Sequence, residues 1–485
     1  MVETKPLDTY FFNADKALEI AKQQNRVETS VKAVDALQLC YYTADEKLSN
    51  TPKNCIYVPL EDVFNYFVTT KYRFPKAISF EDSGFSMPEQ AELNGAFSQI
   101  LGEAKNEREK LAREYAQKIF ENSPDFSEKP WKVFIPACRE TTVMQYVSKN
   151  IASTFEELGY EIFYNIQGEL EDCSCNLHTL MALSKFKPHI TVNVNHLNNT
   201  YINKNIFNFS WFQDPMKILY NDESIQLRKN DYVFYLNDII KKRLLHKNVP
   251  NDKLFLQNFA TNENLFFIDK NIKKEKKIVF LGSDYNFEKN YNLDDECIKE
   301  IYQYLEENTL TENLIINLSK VYGVDIKDFE TYIIASLVRR RIIIWLCSLK
   351  NINIEVYGTD TWLNTPEVVP FYKGLLPYGR EMAKVYNSAE YAIVAHPQYR
   401  YQQRLIEISA CGTIPIVYKG KLLKDDFLHE DNVLSFSTFK ELKSCVGKIP
   451  KKDSIQISRD ISYKRMVKKI VEIVSNNVKE TINVR

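Results

Sequence analysis

An α/β fold of two successive doubly wound units, behind a largely helical N-terminal region, is what the sequence predicts. Three observations predict it. Short, near-continuous apolar runs recur between residues 131 and 418, as in strands buried on both faces. Between them lie stretches with apolar residues at helical spacing, and this alternation marks a parallel sheet. The alternation pauses after 258–261 and restarts at 277, which makes two units rather than one.

In the first 128 residues helical patterns alternate with short apolar runs. Ser86 can cap a helix, Pro88 fits its first turn and Glu89 takes the reciprocal capping position. The helix then runs to about 122, with Leu93, Phe97, Ile100 and Leu101 on one face. The segment 123–130 carries two prolines and breaks it.

Strands are expected at 131–137, 161–165, 189–195, 207–212 and 232–236, with helices at 143–158 and 176–186. The second unit begins with a strand at 277–281 that ends in Gly282-Ser283. A charged helical stretch of about fifty residues and a long helix around 329–349 follow. Strands at 352–357, 391–395 and 414–418 then alternate with helices at 379–388 and 403–411, and 454–476 reads as one or two helices. The expected organisation is an accessory region at 1–128 and α/β domains at 129–261 and 262–450. The second carries a helical insertion at about 286–335, and a helical tail fills 451–485. Two such domains facing each other would leave a cleft at the carboxyl ends of their strands, where ligands of these sheets bind.

Composition narrows the function. The chain has 485 residues, 44% hydrophobic and 26% charged, enough to bury a large core. Lys+Arg (63) and Asp+Glu (64) nearly cancel to a net charge of -1, so nucleic-acid binding through bulk charge is excluded. Nine scattered cysteines read as reduced thiols. Cys173, Cys175 and His178 lack a fourth ligand nearby, so no metal is expected. Arg339, Arg340 and Arg341 interrupt the most apolar region, which argues against a membrane span. They are expected to flank a buried helical stripe and point outward. No secretory signal is visible, so the expected location is the cytoplasm, with docking at the inner face of the membrane left open.

The most informative run is 401–417, YQQRLIEISACGTIPIV. A helix carrying Arg404 and Glu407 ends at Gly412, which fits a left-handed helix cap, and Thr413 leads at once into a strand. Arg404 and Glu407 share a helix face. A carboxylate there can accept both hydroxyls of a ribose, and an arginine beside it can neutralise a diphosphate.

This segment and its surroundings resemble the C-terminal domain of GT-B glycosyltransferases, a fold of two Rossmann-like domains. The resemblance is to the bacterial group 1 family and its spore-protein-like subset. It runs in order through Phe280-Leu-Gly-Ser283, the arginine-bearing helix 339–349, Ile354-Glu-Val-Tyr-Gly358 with Trp362, Tyr372-Lys-Gly-Leu-Leu-Pro-Tyr378, Tyr386-Asn-Ser-Ala389 and Arg404 to Gly412. Upstream, 256–261 resembles the interdomain crossover. The similarity covers residues from about 131 to 450. It implies that Glu407 binds the ribose of a nucleotide-sugar, that the loop with Gly374, Leu376 and Tyr378 holds the base, and that Gly412-Thr413 approaches the diphosphate. Gly282 would form the first glycine turn, and Lys289 and Arg404 are the candidate cations. Tyr399 stands where many retaining members carry a second glutamate, so stereochemistry does not carry over.

Stabilising the leaving nucleotide needs backbone amides and a cation, so neither metal nor cofactor is expected. An inverting enzyme needs a general base from the first α/β unit. His196 and Asp214 follow predicted strand ends, and Glu140 follows the first strand. The reaction implied is sugar transfer to a surface-glycan, lipid-linked or protein acceptor. A nucleotide-sugar epimerase, a non-sugar group transferase and an inactive scaffold on the same fold remain the alternatives.

Overall fold

The structure is a computed structural model. It describes residues 7–26, 37–137, 142–168, 170–172, 176–214, 216–285, 291, 293, 295–308, 310–420, 429–459 and 461–483. Three parallel sheets organise the chain. The first holds β1 (Thr9–Phe11), β2 (Cys40–Tyr42), β3 (Cys55–Tyr57) and β4 (Ala77–Ser79), in the order β3-β2-β1-β4. The second holds β5 (Lys132–Ala137), β6 (Glu161–Ile166), β7 (Ile190–Val194), β8 (Phe207–Phe212), β9 (Asp231–Tyr235) and β10 (Leu254–Leu256), in the order β10-β9-β8-β7-β5-β6. The third holds β11 (Glu275–Leu281), β12 (Asn353–Tyr357), β13 (Ala389–Val394), β14 (Ile414–Tyr418) and β15 (Leu434–Phe436), in the order β12-β11-β13-β14-β15.

The chain divides into two compact units. The first is Met1–Tyr235, Ile239–Phe255 and Ile473–Arg485, and the second is Leu236–Asp238 and Leu256–Glu472. Each contains one doubly wound sheet, as expected. In both, the chain leaves its first strand toward one edge and later crosses to that strand's other side. The strand order therefore reverses between β5 and β7, and again between β11 and β13. The carboxyl ends at such a reversal splay apart and leave a crevice for a ligand.

The third sheet shows why its strands read as unbroken apolar runs. Ile278, Phe280, Tyr391, Ile393, Ile416 and Tyr418 enter the core cluster on one face. Their alternates Val279, Leu281, Ala392, Val394 and Val417 enter another core cluster on the other face. The first cluster includes the 335–347 helix and the second includes the 403–410 helix.

The N-terminal region is richer in helix than in strand, as expected, but it also contains the first sheet. Its hydrophobic cluster gathers Tyr10, Tyr41, Phe67 and Phe97. Arg73 forks onto Asp8, Nε to Oδ2 at 2.9 Å and Nη2 to Oδ1 at 3.1 Å. The helix Met87–Glu121 starts with the expected capping box, the Ser86 amide donating to Glu89 Oε2 at 2.8 Å. Farther along, Ile119 joins Phe134, Leu180 and Leu183 in one hydrophobic cluster. The long helix thus packs on the second sheet and its 177–186 helix, which binds the N-terminal region into the first unit.

No described helix is long and apolar enough to cross a membrane. Cys173 and Cys175 lie outside the described residues.

Candidate functional site

In the first unit, a cavity of about 330 Å³ lies at the carboxyl ends of β5 to β8, lined by Ala137, Asn165, Asn195, His196 and Asp214 among others. Asn195 organises it. Its φ is 61°, a left-handed conformation that asparagine tolerates. Its Oδ1 accepts from the amides of Gln213 at 2.8 Å and Asp214 at 3.2 Å. Its Nδ2 donates to Asp214 Oδ2 at 2.7 Å. Asp214 as a residue is exposed, but burial around its carboxyl raises the pKa, and the Asn195 bond opposes that rise. His196 lines the same cavity. The next residue is pinned by Asn208, whose Nδ2 donates to the Leu197 carbonyl at 2.8 Å. Asn208 Oδ1 accepts from Thr191 Oγ1 at 2.6 Å and Asn193 Nδ2 at 2.7 Å. The structure therefore brings His196 and Asp214 to one cavity. Glu140 lies outside the described residues. Asn195 and Asn208 were not anticipated, because an asparagine within a mostly apolar strand run carries no signal of its own.

In the second unit, Glu407 sits one turn into the Gln403–Ala410 helix and is 1% exposed. It accepts from Gln403 Nε2 at 3.2 Å, and Gln403 also donates to the Ala260 carbonyl at 2.6 Å. Burial pushes the Glu407 carboxyl up to about 7, against the pull of the Arg404 charge and of hydrogen bonds from Gln403 and Tyr378. Arg404 lies beside both Glu407 and Tyr386. The loop of Gly374, Leu376 and Tyr378 runs along the carboxyl end of β12, where the Gly374 carbonyl accepts from the Gly358 amide at 3.1 Å. Gly374 has a φ of 92° and open space where a Cβ would project. Leu376 and Tyr378 pack against the core. The structure thus brings Glu407, Arg404 and the Tyr378 loop together.

Two expectations need correction. Gly412 and Thr413 do not face the carboxyl ends of the strands. They precede β14, and Thr413 Oγ1 donates to the carbonyls of Tyr386 and Ala389, the latter the first residue of β13. Lys274, just before β11, donates to the same hydroxyl at 3.2 Å. The turn therefore closes the helix at the amino-terminal edge of the sheet, with Gly412 at a φ of 65°, away from the crevice.

The arginines also do not point outward. Arg339 is 6% exposed. Its Nε donates to the Ala395 carbonyl at 3.0 Å and its Nη1 to the Ser283 carbonyl at 3.1 Å. It thereby ties the ends of β11 and β13 across the strand-order reversal. Arg340 pairs with Asp284 at 3.4 Å and Arg341 pairs with Glu306. The physical reason is that buried carbonyls beyond the strand ends need donors, and carboxylates lie beside the other two arginines, neither of which the sequence pattern displays.

Gly282 stays at the end of β11. Its amide donates to the Tyr357 carbonyl at 2.8 Å, and its carbonyl accepts from Trp362 Nε1 at 2.7 Å. Lys289 lies outside the described residues. His396, at the end of β13, went unnoticed. Its Nδ1 accepts from the amides of Gln398 and Tyr399 at 3.1 and 3.2 Å. Burial first, and the Arg339 charge second, lower its pKa to about 3, so it is a neutral ring. Its place just after a predicted strand, the criterion that singled out His196, could have found it.

A search of curated protein sequences returns no match. Among solved structures, a sucrose-phosphate synthase from Thermosynechococcus elongatus is similar at 10% identity and a TM-score of 0.45, covering 73% of this chain and 100% of that one. A glycosyltransferase from Rickettsia africae is similar at 12% identity and a TM-score of 0.43, covering 73% and 100%. An Anabaena protein solved with UDP-glucose is similar at 8% identity and a TM-score of 0.42, covering 72% and 100%. Residues 339–468, which include Arg339, the Tyr378 loop and Glu407, match a family model described as glycosyl transferase-like.

Proposed function

We propose that this protein is a glycosyltransferase of the group 1 family and its spore-protein-like subset. It moves a sugar from a nucleotide-sugar held by the second unit to an acceptor held by the first. The observation that carries this reading is the buried Glu407 carboxyl, held within reach of Tyr378 and Arg404 beyond the strand ends. A ribose offers two hydroxyl donors to such a carboxylate and favours its ionised form, so donor binding releases a proton. Arg404 supplies the charge that a leaving diphosphate needs. On the acceptor side, Asp214 takes the proton of the attacking hydroxyl, with Asn195 fixing one of its oxygens. His196, on the same cavity, orients that hydroxyl. The acceptor class is a surface glycan, a lipid-linked sugar or a protein, modified on the cytoplasmic side, and no metal or cofactor takes part.

The test is release of free nucleotide from a panel of UDP-, GDP-, CMP- and ADP-sugars. Asp214→Asn should lower turnover by about 100-fold while donor affinity stays within about twofold of wild type. A donor that binds tightly but is never turned over, with any acceptor fraction, would contradict the enzymatic reading.

A further inference from the structure

We propose that a second cleft in the first unit binds a phosphate-bearing ligand. The cleft has a volume of about 970 Å³ and runs along one face of the 87–121 helix. Leu101, Lys105, Arg108, Ala112 and Ala116 line it, at the three- and four-residue spacing that puts them on one face. The segment around Arg73 and Lys76, together with Leu180 and Tyr201, closes the other side.

Arg108 is the telling residue. It is 4% exposed, and among the described residues none of its three guanidinium nitrogens has a hydrogen-bond partner. Its guanidinium lies 5.3 Å from the ring centroid of Phe74, which also lines the cleft. A buried guanidinium without a counter-charge is costly, and the neighbouring charges do not relieve it. Lys76, Lys105 and Arg113 make no ion pair among the described residues. Of the carboxylates in the wall, Glu171 is taken by Lys71 at 2.5 Å. Arg73 spends its charge on Asp8. Four cations therefore face the cleft against Glu109 and Asp172.

That arrangement suits a dianion with several oxygens. A guanidinium meets phosphate through paired N–H donors, and ammonium groups add charge around it. The cleft is larger than a bare phosphate needs, and Phe74, Leu101 and Leu180 give it an apolar flank, so the phosphate is carried on an organic body. Asn176, Leu180 and Tyr201 line both this cleft and the His196–Asp214 cavity. A ligand anchored at Arg108 can therefore reach toward Asp214. Its identity as the phosphate of the acceptor rests on the transferase reading, whereas the binding itself does not.

The experiment is isothermal titration of the full chain with inorganic phosphate, glucose 1-phosphate and glucose. Saturable glucose 1-phosphate binding is expected, weakened at least about tenfold in Arg108→Met and in Lys105→Ala/Arg113→Ala, and kept in Glu407→Ala. Tighter binding of glucose 1-phosphate than of phosphate assigns the site to a phosphate ester, and equal binding assigns it to the free ion. Arg108→Met should also melt higher than wild type without ligand, because it removes an unpaired buried charge. No saturable binding, or binding unchanged in the exposed Lys105→Ala/Arg113→Ala variant, overturns the proposal. Loss of binding in Glu407→Ala alone overturns it too, since the ligand would then occupy the second unit.

Discussion

The guanidinium of Arg339 lies 3.6 Å from the ring centroid of Tyr285 and donates to its hydroxyl at 2.6 Å. With its bonds to the Ser283 and Ala395 carbonyls, one side chain satisfies three acceptors at the crevice of the second unit. Nε, Nη1 and Nη2 each reach a different acceptor, and a lysine, whose three donors sit on one nitrogen, cannot span that fork. Arg339→Lys should therefore lower unfolding free energy by about 3 kcal/mol, read from urea denaturation. Tyr285→Phe, which keeps the stacked ring, should cost about 1 kcal/mol. Equal effects of the two variants would contradict the role given to the fork.

Gly358 allows β11 and β12 to end against each other. A Cβ at Gly358 would lie 2.2 Å from the Gly282 carbonyl oxygen and 2.9 Å from Trp362 Nε1. The nearer atom is backbone and cannot swing away. Gly358→Ala should cost at least about 2 kcal/mol. Gly374→Ala, strained in φ but with open space around it, should cost about 1 kcal/mol. Chemical denaturation of the two variants separates close approach from backbone strain.

Glu407 makes stability depend on pH in a defined direction. Its carboxyl is raised from an ordinary 4.5 to about 7, chiefly by burial. The folded state then holds the proton more tightly than the unfolded state, so its contribution is full below about pH 4.5 and is lost as pH rises through about 7. Glu407→Gln should match wild type at about pH 4.5 and exceed it by about 3 kcal/mol near pH 8.5. Denaturation midpoints at the two pH values check this. A difference that does not grow with pH would contradict the buried carboxyl.

Asn195 should control both stability and the pH profile of activity. Asn195→Ala removes three hydrogen bonds around Gln213 and Asp214 and leaves alanine at a φ of 61°, at a cost of about 2 kcal/mol or more. Asn195→Gly relieves only the backbone strain and should recover part of that loss. The Asn195 bond favours the ionised Asp214 carboxylate, so losing it raises the Asp214 pKa further. A base must be ionised to act, so the acid limb of the kcat/KM profile should move to higher pH in both variants. An unmoved limb would remove Asp214 from the role of base.

Most strands of the two larger sheets were legible because their faces are both covered, which leaves near-continuous apolar runs such as 278–281 and 414–418, whereas the three-residue β10 and β15 were not. The helix at 87–121 was legible from its capping box. The four strands of the first sheet were not, because three residues each are too few to display a period. Glu407 and Arg404 could be paired from one helix turn. Arg339 could not be distinguished from Arg340 and Arg341, since its partners lie 56 residues away in sequence, before it and after it. The Thr413 expectation failed for a topological reason. The turn between a helix and the next parallel strand lies at the amino-terminal edge, opposite the end where such sheets bind ligands.

The central claim is that Glu407 belongs to a nucleotide-sugar site in the second unit. Its most direct test is titration of wild type and Glu407→Ala with UDP, GDP, CMP, ADP and their sugar conjugates, following melting temperature. Ligand at about 100 times its Kd adds about 2.7 kcal/mol. The account predicts that one nucleotide family stabilises wild type by that amount, and that Glu407→Ala, itself folded, loses the shift. A shift of equal size in both proteins, or none with any nucleotide, would contradict it.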